Sequence, residues 1–359
     1  MHDPRSLPFV AVGALALLAA CATPAPSGDL AGEGAMPLDA ATQAARYRTP
    51  GNVPAHSGVP SGVVTIRFAA AVGDAAFQCG SSYGGIGITG STVLPADFRF
   101  FVSDVALIDE AGRALPLALA QDGRWQYRNV ALLDFEDGSG PCAGGTIEMR
   151  QIVVGELPPG RYRGLAFTLG VPPDLNVGSP GLAAAPLNDP ALAWPAPGGF
   201  RFLKIDMATT GQPLGPYAPP LVGLRPAPLP YPATAPALVA GPGVPAYPAG
   251  PYGFPVHIGG AACTGYTPSP YYPPAPGCAF PTRLRVTFPD FDPSRDVVVA
   301  DLRGLLVSTN VDANMPGTPA GCQSTPGDPD CAGIAAQLAI AYPGTGAPVQ
   351  SFFRRVPSP

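Results

Sequence analysis

Charge is scarce in this chain: Asp, Glu, Lys and Arg together make up 13% of 359 residues, roughly half the share in an average soluble domain. With a formal net charge of -5, the chain has no basic footprint for nucleic acid. Histidine is scarcer still, with only His2, His56 and His257 present. A three-histidine metal site is therefore excluded by counting once the leader containing His2 is removed. The sequence lacks a Gly-x-Ser-x-Gly elbow, a phosphate loop and any Cys-x-x-Cys pair, and so few histidines leave little for triad catalysis. No enzymatic activity of its own is expected. Helical periodicity is nearly absent, and beyond the first twenty residues no apolar run is long enough to span a bilayer.

The N-terminus does carry a signal. Arg5 precedes the apolar run Phe9 to Leu18, which ends in Leu18-Ala19-Ala20-Cys21. A basic start, a short apolar stretch and small residues before a cysteine form the pattern of a lipoprotein signal peptide over residues 1–20, with Cys21 lipidated. Ala22, in place of an aspartate, favours passage to the outer membrane. Residues 21–61 are rich in Ala, Pro, Gly and Ser and read as a flexible tether. Export makes the other six cysteines, Cys79, Cys142, Cys263, Cys278, Cys322 and Cys331, candidates for disulfides. Cys263 with Cys278 and Cys322 with Cys331 would each close a short Pro/Gly-rich loop, leaving Cys79 with Cys142. A cluster of metal-binding thiolates is the competing arrangement.

Between about 62 and 355, short alternating or fully apolar segments follow one another, broken by Gly, Pro and Asp. Strands are predicted at Val63–Phe68, Phe98–Val102, Val105–Ile108, Leu115–Leu119, Trp125–Leu133, Thr146–Val154, Tyr162–Leu169, Phe200–Met207, Leu284–Phe288, Val297–Ala300 and Leu305–Val307. A short helix is predicted at Ala332–Ala341. Gly and Pro number 45 and 50, and prolines crowd a stretch at about 208–255, which reads as an insertion because proline removes ladder donors. The fold class is all-β, a sandwich-like domain with long Pro/Gly-rich loops and disulfides.

Six segments occur in fixed order: Asp97 to Ser103, Leu132-Leu133-Asp134-Phe135-Glu136, Leu169 to Pro172, Pro186-Leu187-Asn188, Phe202-Leu203-Lys204-Ile205-Asp206 and His257-Ile258-Gly259. With the tail Gly321-Cys322-Gln323-Ser324 to Cys331, they resemble the MbnP-like family, the four-cysteine partner of a metallo-mystery pair. The resemblance implies an exported copper-binding protein, periplasmic or surface-facing, that works with a di-haem cytochrome c peroxidase-like enzyme. In that family the enzyme oxidises a tryptophan to kynurenine, which helps a histidine hold copper. Imidazole nitrogen suits copper, and indole is a good electron donor. By this resemblance the metal residues are His257 and Trp194. Two positions depart from the family pattern: Ala196 stands where a second tryptophan is usual, and Val177 follows Leu175-Asn176 where a histidine is usual.

Read without the family, His257 is a structural histidine at a strand end, or a copper ligand joined by Met207, a carboxylate or the tryptophan product. Trp194, in a Pro/Gly-rich loop, is either exposed for recognition or folded over the core. Trp125 is expected to pack across strands. Asp134 and Glu136 alternate on a strand and share one face, where the simplest role is pairing with arginines such as Arg99. The run Asp290 to Asp296 reads as a turn. Two functions remain: a copper-binding lipoprotein oxidised by its partner, or a binding or scaffold lipoprotein that kept the fold, lost the metal and uses the insertion as a contact surface.

Overall fold

The computed structural model describes residues 62–176, 180–194, 199–211, 253–264, 277–280, 282–325, 327–342 and 350–357, with backbone alone for 261–264 and 277–280. The expected signal peptide, Cys21, the expected tether with His56, Val177, Ala196 and most of the proposed insertion lie outside the described residues. The principal elements are β1 (Val63–Val72), β2 (Ser91–Asp109), β3 (Val130–Asp134), β4 (Ile152–Glu156), β5 (Tyr162–Leu169), β6 (Arg201–Thr209), β7 (Val256–Gly259), β8 (Leu284–Phe288), β9 (Asp296–Asp301), α1 (Leu302–Leu306), α2 (Ala332–Gln337) and β10 (Phe353–Pro357). The fold is an all-β sandwich of two sheets. One is ordered β10-β9-β1-β4, with Ala118–Leu119 on its far edge; the other is ordered β7-β6-β2-β5-β8, with β3 also paired to β2.

Strand alternation puts successive side chains on opposite faces, and in the second sheet both faces are used. Facing the first sheet, Phe98, Phe100 and Val102 of β2, Leu203, Ile205 and Met207 of β6, and Val256 and Ile258 of β7 enter the main core with Ile66, Phe68, Phe167, Phe352 and Phe353. Its aromatics meet mostly edge-on or tilted, Phe68 with Phe167 at 5.5 Å and Phe167 with Phe353 at 5.1 Å. Each fully buried phenylalanine of this kind stabilises the fold by roughly 1.5–3 kcal/mol.

The other face of the second sheet is covered as well. Phe101, Val130, Leu132 and Phe202 point outward and form a smaller core with Val171, Leu187, Leu192, Ala193 and Phe200, residues of the long connection between β5 and β6. This connection is an outer layer, and it carries Trp194.

Two disulfides join the expected cysteines, Cys79–Cys142 and Cys322–Cys331. Cys263 lies opposite Cys278 in an antiparallel ladder; their side chains lie outside the described residues.

Several local expectations are corrected. Leu305–Val307 is not a strand, because Asp301 accepts from the amides of Arg303 and Gly304 and caps α1, with Leu302, Leu305 and Leu306 on its buried side. The strand predicted at Thr146–Val154 starts only at Ile152; Thr146 instead reaches back to Asp134. The helix at Ala332 stops at Gln337, with Ala339 at φ 52°. Leu115–Leu119 is interrupted at Leu117, and Trp125–Leu133 is a hairpin of Gln126–Tyr127 against β3, turned through Arg128 at φ 52°. β10 was not anticipated, and β7 only as the strand at whose end His257 was expected.

Candidate metal and redox site

The outward face of the second sheet holds a row of polar side chains across four strands. Register places Asp134 of β3 opposite Arg99 of β2, Arg99 opposite Lys204 of β6, and Lys204 opposite His257 of β7. Asp97 and Asp206 face each other beside this row. Burial makes pairing obligatory for such groups. Arg99 is 1% exposed and grips Asp97 through Nε and Nη2 at 3.0 and 2.5 Å; it also reaches Asp189 at 2.9 Å and Glu136 at 3.2 Å. Lys204 bridges Asp97 and Asp206, the latter at 2.6 Å. Burial opposes its charge, yet the two aspartates hold its pKa above the ordinary lysine range.

At the end of the row, His257 Nε2 lies 2.7 Å from Asp206 Oδ1. Burial acts to raise the Asp206 pKa, but His257 and Lys204 overcome it and keep the carboxyl well below the usual range. An ionised Asp206 makes Nε2 the donor. Burial also pushes the pKa of His257 down, despite Asp206, so the ring is neutral at neutral pH. The lone pair then resides on Nδ1, which is buried and has no hydrogen-bond partner among the described residues. Metal-ligating histidines commonly hold a carboxylate on one ring nitrogen and leave the lone pair of the other for the metal.

Trp194 comes to this point from the outer layer. Its backbone amide donates to Gly199 O, and Ala193 bridges Phe200, closing a short loop. Asn176 Oδ1 accepts from the Phe200 amide at 2.8 Å and fixes the loop base. Arg201 reaches Ala191 O and Ala193 O, and its guanidinium carbon stands 4.5 Å over the Trp194 ring, a cation–π contact. The Trp194 and His257 rings meet edge-on with centroids 6.1 Å apart. The indole Nε1 is buried and, like His257 Nδ1, has no partner among the described residues. It packs on the backbone of Gly259, where a Cβ would lie 2.4 Å away. Two site residues named from sequence are thus brought together.

Comparison with known proteins places this architecture. A family model described as MbnP matches residues 61–324. The chain belongs to the MbnP family. Among solved structures, MbnP from Methylosinus trichosporium is similar at 26% identity and a TM-score of 0.64, over 84% of this chain and 100% of that one. No curated protein matches.

The other sequence-derived candidates of this MbnP-family chain fall as follows. Met207 points into the main core, on the face opposite Asp206, and is not available to His257. Glu136 does pair with Arg99, whereas Asp134 accepts from Thr146 Oγ1 at 2.6 Å. Trp125 packs against the outer core under Arg124. The Asp290–Asp296 run is a turn, in which Asp296 and Asp292 accept local backbone amides. Among the described residues, no three His, Cys, Asp or Glu side chains form a group able to hold a metal ion. Arg201, Gly259 and Asp97 were missed as site residues, although the alternation that puts Asp97 with Arg99, and Lys204 with Asp206, is visible in the sequence.

Proposed function

We propose that this MbnP-family chain is an exported copper-binding lipoprotein, anchored through Cys21 in the outer membrane, whose Trp194 is oxidised by a di-haem cytochrome c peroxidase-like partner. The observation carrying this reading is that the Trp194 and His257 rings meet edge-on beside an ionised Asp206, with His257 Nδ1 and Trp194 Nε1 both buried and without a hydrogen-bond partner among the described residues. The unmodified chain fits copper through one imidazole. Oxidation of the indole to kynurenine supplies further nitrogen and oxygen donors at the same place, and copper accepts such a mixed set. The chain's own contribution is orientation: Asp206 fixes the imidazole tautomer, while Arg201 and Asn176 fix the loop that presents the indole.

A second reading, a binding or scaffold lipoprotein without metal, is favoured by the absence of a three-residue ligand group among the described residues and by Val177 where the family usually has histidine. The two separate in one experiment. Protein isolated with its partner oxidase is expected to show the kynurenine mass change on Trp194 and to bind copper stoichiometrically, with uptake lost in His257→Ala. Unmodified tryptophan and equal, negligible uptake by both proteins would leave the scaffold reading.

A further inference from the structure

β7 carries His257 and Gly259, the indole's seat, and only one of its edges pairs with β6. On the other edge lies the segment Gly321–Ser324, closed behind by the Cys322–Cys331 disulfide. Cys322 donates its amide to Pro255 O at 2.9 Å and accepts the His257 amide at 2.8 Å. After Cys322, a side chain takes over from the backbone. Ser324 Oγ donates to His257 O at 3.1 Å and accepts the Gly259 amide at 3.0 Å. One hydroxyl therefore joins the backbone of the histidine to the glycine on which the indole rests. Ser324 is 6% exposed and sits at φ 55°, a left-handed conformation uncommon for a residue other than glycine or asparagine. Gly321 allows the approach, since a Cβ there would stand 2.1 Å from Pro255 O.

We propose that Ser324 is a positioning residue that sets the spacing between the His257 imidazole and the Trp194 indole. Without the hydroxyl, His257 O and the Gly259 N–H are left unpaired in a buried place. A displacement of Gly259 then moves the indole, because Nε1 packs on its backbone. The geometric role stands without metal; its consequence for copper rests on the function proposed above.

The test is side-chain NMR of the full mature protein, metal-free, comparing wild type with Ser324→Ala. Ser324→Gly provides a second variant that deletes the hydroxyl at a backbone conformation glycine adopts freely, should the alanine form fail to fold. Ser351→Ala, which deletes a hydroxyl bound to Gly304 O and Gln337, is the control for general loosening. The expected result is shifted Trp194 indole N–H and His257 ring resonances in the Ser324 variants, with Gly259 amide exchange faster by about tenfold. Trp125 and the Ser351 variant should stay at wild-type positions. Faster Gly259 exchange with unchanged Trp194 and His257 resonances would reduce Ser324 to a structural hydroxyl and overturn the proposal. In a parallel titration with copper, binding by kynurenine-bearing protein should weaken about tenfold in Ser324→Ala. If wild type takes up no copper, the copper reading fails and the metal-free spectra still decide the role of Ser324.

Discussion

Glu136 gives the sharpest stability prediction. Its side chain is fully buried, and Oε1 receives Arg99 Nε at 3.2 Å and the Thr146 amide at 3.1 Å, while Oε2 has no hydrogen-bond partner among the described residues. Arg99 is already shared by Asp97 and Asp189, so its charge is too divided to ionise a third carboxyl. Burial, with Asp97 nearby, raises the pKa from 4.5 to about 8. The folded protein keeps this proton where the unfolded chain has lost it. Stability from this group is therefore complete below pH 4.5 and is lost as pH rises through about 8. Asp134, raised to about 6 by burial, loses its own contribution at lower pH. His257, with its pKa lowered, works in the opposite sense and gains stability as pH rises toward the usual histidine value. Both are common to wild type and Glu136→Gln, so the difference between the two isolates Glu136. Between pH 6 and 8, at ~1.4 kcal/mol per unit with the slope falling off as pH nears the folded pKa, wild type should lose about 2 kcal/mol relative to the variant. Urea unfolding at four pH values across that range measures it. Parallel curves for the two proteins would show that Glu136 ionises normally and refute the argument.

Two further outcomes follow from the packing. Replacing Cys79 and Cys142 by serine removes a crosslink between positions 63 residues apart, worth roughly 4 kcal/mol by loop-closure entropy; thermal melts should fall accordingly, and a reductant should add little more through this bond. Gly259→Ala puts a methyl 2.4 Å from Trp194 Nε1 and 2.5 Å from Phe200 O, costing about 1–3 kcal/mol. Tryptophan emission should shift as the indole is displaced, and an unchanged spectrum would mean that Trp194 does not seat on Gly259.

Much of the sandwich was legible because alternation is a local signal. Phe98, Phe100 and Val102 against Asp97, Arg99 and Phe101 announce a two-faced strand. That the polar face is fully covered was not legible, since its cover comes from Val171, Leu187, Leu192 and Phe200, which have no regular spacing. β10 was missed because Arg354 and Arg355 interrupt an otherwise apolar end, and α1 because an apolar triplet fits a helix as well as a strand until the capping Asp301 is considered. The meeting of Trp194 and His257, on either side of the insertion, was available only through family resemblance. The roles of Arg201, Gly259 and Ser324 depend on backbone approach, which leaves no compositional trace.

Among the described residues the apolar interior is divided into three clusters, and the separation of the outer one beside Trp194 has a consequence for how this chain can change. The connection's own share of the outer cluster, Val171, Leu187, Leu192, Ala193 and Phe200, lies across the second sheet from the main core, and energetic effects of well-separated sites tend to add rather than amplify. Substitutions in the connection between β5 and β6 are thus free to erase or rewrite chemistry with little cost to the foundation beneath. The sandwich works as a pedestal, and the layer above it is the replaceable part.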